Sequence, residues 1–185
     1  MPSSRMTLQP LDSGALPFSL WLALLVVFSA LGIALRQVAI PTYTLFVNLT
    51  PGFIIPLLSG MLLGPLGGIF CGVFVGMSGA LWEPFLIPLV GNIALGLSTG
   101  LPSYFRHKIP YSLWLILCLI FAICIGGFFP TFAVEVFVAQ IPPSVAILSA
   151  SIDAVQAGLW VIIAFFILRG VVKPLLNPYR QPVLE

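Results

Sequence analysis

An all-α membrane protein, a bundle of six transmembrane helices with both termini cytoplasmic, is the fold this chain predicts. Three observations carry the prediction. Charges are sparse: none falls between Asp12 and Arg36, Arg36 and Glu83, Glu83 and Arg106, or Lys108 and Glu135, and then only Asp153 interrupts the run to Arg169. Hydrophobic residues make up 60% of the sequence and charged ones 6%, too few to cover the surface of a soluble protein, so lipid must solvate most of it. Finally, the few basic residues sort to one side of a six-span model.

A crossing needs about 20 mainly apolar residues for a hydrocarbon core ~30 Å thick. Each charge gap holds one, except 37–82, which holds two. The spans read as roughly 17–35, 45–63, 65–82, 84–102, 111–129 and 145–168, within a single integral membrane domain covering 1–185. The first lies too far from Met1, and is too well matched by later spans, for a cleaved signal peptide. Gly64-Pro65 breaks the helix and permits a tight reversal between the second and third spans. Pro84 opens the fourth, where proline forfeits no hydrogen bond, and Pro142-Pro143 stands just ahead of the sixth. An even span count puts Arg5, Arg106, Lys108, Arg169, Lys173 and Arg180 on one side, with Arg36 opposite. The basic side is cytoplasmic, which makes this a multi-pass protein of the cell membrane with Glu83 and Glu135 in outer loops.

The third span carries Gly64, Gly68, Gly72, Gly76 and Ala80 at intervals of four, a face on which another backbone can approach closely. The first span repeats the spacing in Ser19 with Ala23 and Ala30 with Ala34. Two uses compete for these faces: packing inside the bundle, or docking of a partner membrane protein. Asp153 is the acid deepest in a span, about eight residues or ~12 Å from the outer end of the sixth. An ionisable residue at such depth marks a functional site facing a cavity or the bundle interior. The structural alternative is a hydrogen bond to a neighbouring helix. Ser149, Gln156 and Trp160 share its helix face, and Asn92 lies at similar depth in the fourth span. Arg36, Trp82, Glu83 and Glu135, with Tyr43 and Asn48, complete an outward polar set, although Trp82 and Tyr43 also suit interfacial anchors. The surplus of acid favours a cationic or zwitterionic ligand.

Several functions are excluded. There is no phosphate-binding Gly-Xaa-Xaa-Xaa-Xaa-Gly-Lys-Ser/Thr loop and no room for an ATPase domain. His107, the only histidine, sits in the basic loop, so zinc-protease motifs and histidine triads are absent. Cys71, Cys118 and Cys124 lack metal-ligand spacing and read as small apolar residues. No metal, cofactor or enzymatic activity is expected, and scattered basic residues give nucleic-acid binding no support. No inverted repeat is evident, which weighs against a self-contained secondary transporter.

From Ile40 to Gly79 the chain carries Pro41, Asn48-Leu49, Pro56 and Gly60-Met-Leu-Leu-Gly-Pro-Leu-Gly-Gly68 ahead of the glycine ladder. Val90-Gly-Asn-Ile-Ala-Leu-Gly-Leu-Ser-Thr-Gly100 and a basic loop follow. These stretches, with six short spans, resemble the substrate-binding S components of energy-coupling factor (ECF) vitamin transporters. The resemblance implies a membrane bundle that captures a vitamin or related micronutrient outside the cell. It also implies a transmembrane coupling subunit and cytoplasmic ATPases as partners, and toppling in the membrane to release substrate. The family's small-Xaa-Xaa-Xaa-small motif maps onto Ser19-Ala23 or Ala30-Ala34; the Ala-Xaa-Xaa-Xaa-Ala form stands only at Ala30-Ala34, toward the outer end. Asn92, Glu135, Asp153, Gln156 and Trp160 occupy regions where family members hold substrate. The Gly-Pro-Thr-Gly-Gly signature associated with biotin-binding members is not present, which disfavours biotin. The rival reading is a membrane scaffold subunit whose small-residue faces, Gly68, Gly72 and Gly76 included, serve only to dock other proteins. A solitary channel or transporter ranks last, because the inner halves of the spans are nearly all apolar.

Overall fold

A computed structural model describes residues 16–38, 40–41, 48–81, 86–106 and 108–176. The described residues are almost wholly helical: α1 (Phe18–Arg36), α2 (Ile54–Ala80), α3 (Ile87–Ser103), α4 (Tyr111–Phe121), α5 (Phe129–Ala133), α6 (Pro143–Ile167) and α7 (Lys173–Leu176). Two-residue strands β1 (Ile40–Pro41) and β2 (Asn48–Leu49) pair antiparallel between α1 and α2, where no strand is expected from the sequence. Wider π-helical turns, Ala122–Phe128 and Val134–Val138, join α4 and α5 into one apolar rod, Tyr111–Val138. A third, Leu168–Val172, links α6 to α7.

Local sequence explains the boundaries. Pro17 precedes α1, and Arg36 in its last turn complements the negative end of the helix dipole. Pro51 opens the short 3-10 turn Pro51–Phe53 that leads into α2, so the second helix starts later than the expected 45. The fourth begins at Ile87, with Leu86 in left-handed geometry before it; Pro84 lies outside the described residues. The expected end of the fifth span at 129 falls short, because the rod continues through its second π-turn to Val138.

The decisive break lies within α2. Gly64 sits at φ 79, ψ −172, followed by Pro65, and the chain doubles back there. The Ser59 hydroxyl donates to Gly67 O at 3.0 Å, and a Cβ on Gly68 would stand 3.0 Å from the Gly60 Cα. In an unbroken helix, residues eight apart are separated by ~12 Å. Arms 54–63 and 65–80 therefore lie side by side. Backbone at this φ and ψ is open almost only to glycine. Gly64→Ala is expected to cost about 1–3 kcal/mol, measured as a lower melting temperature in detergent.

Glycine sets the packing around this hairpin. Gly68 and Gly96 meet backbone to backbone, Gly72 lies on Asn92, and Gly76 on Pro88 and Leu89, which runs α3 antiparallel along arm 65–80. Gly60 fits against Gly96, Thr99 and Gly100. Thr99 donates to Leu57 O at 2.9 Å, and Ser103 to Gly60 O at 3.2 Å. In α1, Gly32 faces Val75 and Ile55, while the Trp21 indole donates to Leu63 O at 3.2 Å. On the other side, Gly126 packs on Leu95 and Ser98, and Gly127 on Asp153 and Ala154, which brings α6 against α3 through the 111–138 rod.

Among the described residues, four helical stretches are long and apolar enough to cross a membrane: Phe18–Arg36, Pro51–Ala80, Tyr111–Val138 and Pro143–Leu176. Large apolar side chains such as Val26, Phe74, Ile120, Val155 and Phe166 lie exposed on their outer faces, as lipid contact requires. The start of α1 and the end of α6 share one end of the bundle. Trp21 meets Leu63, Gly100 meets Gly64 and Pro65, and Lys173 lies 5.1 Å from the Tyr111 ring. Arg106 stacks there as well, 4.6 Å from the Trp114 ring centroid.

Candidate functional site

The polar side chains that the fold gathers lie toward the opposite end, where the 111–138 rod faces α6. The two run antiparallel, so a step of one turn forward on one meets a turn back on the other. Thr131 stands opposite Asp153, and its hydroxyl donates to Asp153 Oδ2 at 2.5 Å. One turn on, Glu135 stands beside Ser149. Gln156, one turn along α6, donates its amide nitrogen to Asp153 Oδ1 at 3.3 Å. Its own carbonyl accepts the Thr50 backbone N–H at 2.9 Å, which ties the segment leading into α2 to the site. That bond fixes the direction of the amide, so Gln156 presents donors to Asp153. Both Asp153 oxygens therefore act as acceptors. Thr131, Ser149 and Gln156 are buried, Asp153 is half-buried, and Glu135 is 0% exposed.

The sequence places Glu135 in an outer loop; the structure corrects this. Glu135 lies in the π-helical turn Val134–Val138, inside the rod. The wider turn carries one more residue per turn than an α-helix, a distortion that often accompanies functional sites. Arg36 is likewise not a loop residue. It ends α1, is 7% exposed, and sits 5.3 Å from the Phe53 ring centroid, in a niche left by Gly52 and Gly79. Asn92 is buried on α3, its amide nitrogen donating to Pro88 O at 2.7 Å, with its backbone on Gly72. Trp160 is half-buried against the apolar core, and its indole nitrogen has no hydrogen-bond partner among the described residues. Trp82, Glu83 and Tyr43 lie outside the described residues, as does the side chain of Asn48.

Of the expected site residues, the structure thus brings together Glu135, Asp153 and Gln156. It adds Thr131 and the Thr50 backbone. Thr131 is legible in principle, one turn before Glu135, but it falls beyond 129, where the sequence predicts the fifth span to end. The Thr50 amide carries no sequence signal.

The small-residue faces divide. Gly68, Gly72 and Gly76 are buried beneath α3 and offer no surface to a partner, because their close approach is used inside the chain. Ser19, Ala23, Ala30 and Ala34 are exposed along one side of α1. Ala30 lines a groove of about 550 Å³ with Trp21, Leu25, Ser29, Phe70 and Phe74, between α1 and arm 65–80. Cys71 and Cys118 are buried, Cys124 is exposed, and no group of three potential metal ligands occurs among the described residues.

No protein-family model matches the chain, and no curated protein matches it. Solved structures do. The fold is similar to the S component of a bacterial ECF transporter, with TM-score 0.62 at 17% identity over 85% of this chain and 98% of that one. It is similar also to the S component for biotin from an ECF-type ABC transporter, with TM-score 0.60 at 20% identity over 82% and 92%. The chain therefore has the fold of ECF S components. Gly64-Pro65-Leu66-Gly67-Gly68 spans the break between the two arms of α2. Here it forms the hairpin turn, a structural task that says nothing of the ligand.

Proposed function

We propose that this chain is the substrate-capturing membrane subunit of an ECF-type importer for a vitamin or related micronutrient. It crosses the cell membrane six times, arms 54–63 and 65–80 each counting once, with both termini in the cytoplasm. A separate transmembrane coupling subunit and cytoplasmic ATPases supply the energy. The observation that carries this reading is the Thr131–Asp153–Gln156 cluster with buried Glu135, a group of polar side chains set between apolar helices in an S-component fold. A few convergent polar groups in apolar walls are the usual form of a small-molecule site. The excess of Lys and Arg at the opposite end supports a cytoplasmic assignment for that end.

The test is to purify the protein in mild detergent and identify co-purifying small molecules by mass spectrometry. A stoichiometric micronutrient supports the reading. A protein that stays empty after incubation with water-soluble vitamins turns it towards a scaffold. The exposed side of α1 is the docking face in this proposal. Ala23→Trp is expected to leave substrate binding within about twofold while reducing uptake by the assembled transporter at least about tenfold, since a bulky group blocks close helix approach. Equal uptake by parent and variant would move the docking face elsewhere.

A further inference from the structure

Glu135 differs from its neighbours in the site. Neither of its carboxylate oxygens has a hydrogen-bond partner among the described residues, although the side chain is fully buried. The Ser149 hydroxyl is within weak hydrogen-bonding reach of it but is directed to Val145 O at 3.4 Å, along its own helix, and no other donor faces the carboxyl among the described residues. No basic side chain pairs with Glu135 among the described residues, while Asp153, within electrostatic reach, already accepts from Thr131 and Gln156. Buried carboxylates are retained where something supplies charge and donors to them. An anionic ligand group would meet two carboxyl groups with no cation between them among the described residues, and a group with only acceptors would leave an ionised Glu135 unsatisfied. A metal ion is poorly served by two carboxylates, with no third potential ligand of the His, Cys, Asp or Glu type grouped with them among the described residues. A nitrogen cation bearing N–H donors meets both needs at once.

We propose that Glu135, with Asp153 held rigidly beside it, anchors a positively charged, N–H-bearing nitrogen group of the substrate, which makes the cargo a cationic or zwitterionic micronutrient. This rests on reading the chain as a substrate-binding subunit. It assigns Glu135 the direct contact, whereas Thr131, Gln156 and the Thr50 amide are positioning groups that act through Asp153.

The bound compound is extracted from native protein and separated on cation and anion exchangers before mass spectrometry. Alongside, thiamine, pyridoxamine, biotin and pantothenate are offered to emptied protein. A compound whose basic nitrogen bears N–H donors when protonated, as in pyridoxamine, is expected, and Glu135→Gln should lower its occupancy at least about tenfold. The Ser149 hydroxyl is the donor within reach of Glu135 among the described residues, and a glutamine oxygen accepts from it as well, so this variant is expected to stay monodisperse. A bound compound without such a nitrogen, biotin or pantothenate for example, overturns the proposal and leaves the binding subunit standing. A cationic compound held equally well by parent and Glu135→Gln removes Glu135 as its anchor. Protein that binds nothing under either condition overturns both readings. The ion-exchange result comes from native protein and decides the charge class whether or not the variant folds.

Discussion

Gly96→Val is expected to abolish the folded protein. A Cβ at Gly96 would run into the Gly68 carbonyl and lie 2.9 Å from the Gly68 Cα, and Gly68 is equally closed by Gly96. Backbone on both sides of the contact cannot rotate away as a side chain would. The valine must push α3 off the hairpin along its whole length, breaking the Thr99–Leu57 and Ser103–Gly60 hydrogen bonds as it does so. Overpacking of flexible cores costs about 1–3 kcal/mol, and a contact between two backbones should exceed that range. The measurement is the yield and elution profile of detergent-solubilised protein on size exclusion. Gly91, in the same helix, has nothing within 4 Å of an added Cβ. Gly91→Val should therefore run as the parent does. If both variants behave alike, the α2–α3 seam is not where stability resides.

The second large effect concerns binding. Asp153→Ala is expected to weaken substrate binding roughly a hundredfold while leaving a folded protein. The alanine removes the acceptor for the Thr131 hydroxyl and for the Gln156 amide, and both of those side chains are buried. The cost in stability is about 1–3 kcal/mol for groups left unsatisfied, visible as a lower melting temperature without aggregation. Binding suffers more, because the carboxylate that Thr131 and Gln156 hold in place beside Glu135 is gone. Asp153→Asn keeps one acceptor oxygen and should fall between parent and alanine. Titration of the identified compound against the three proteins gives the order. Unchanged affinity in Asp153→Ala would place the site elsewhere.

Charge spacing made the membrane class legible, because lipid tolerates so few ionised groups that each one marks a boundary or a function. The reversal was legible as well: Gly64-Pro65 pairs a residue free to take positive φ with one that cannot continue a hydrogen-bonded helix. The glycine ladder announced a close helix contact but not its partner, since spacing of four describes a face and not what covers it. Only the folded chain assigns Gly68, Gly72 and Gly76 to α3. Arg36 and Glu135 were misplaced for one reason, that a charge in a sequence reads as solvated. Arg36 is instead shielded by Phe53 and the glycines around it, and Glu135 lies within a helix extended by π-turns. Asp153 was legible from its depth, whereas the register that sets Thr131 against it belongs to the packing of two helices.

The arm 54–63 bears on how the chain enters the membrane. Every residue from 54 to 64 is buried, so this arm touches protein on all sides and lipid on none. Its ten residues are about half of what a lone crossing helix needs, so it completes a crossing only within the protein and together with the chain that leads into it. Such a segment has no stable existence as a lone insert in the bilayer. It has to be delivered as half of a hairpin and wait, incompletely enclosed, until α3 emerges and closes over its glycines. Biogenesis is then ordered: α1 first, the hairpin as one insertion unit, and α3 as the step that commits the N-terminal half to its final topology. Chains arrested before residue 87 should leave the hairpin accessible to protease or to lipid-phase probes, and chains arrested well beyond 103 should protect it.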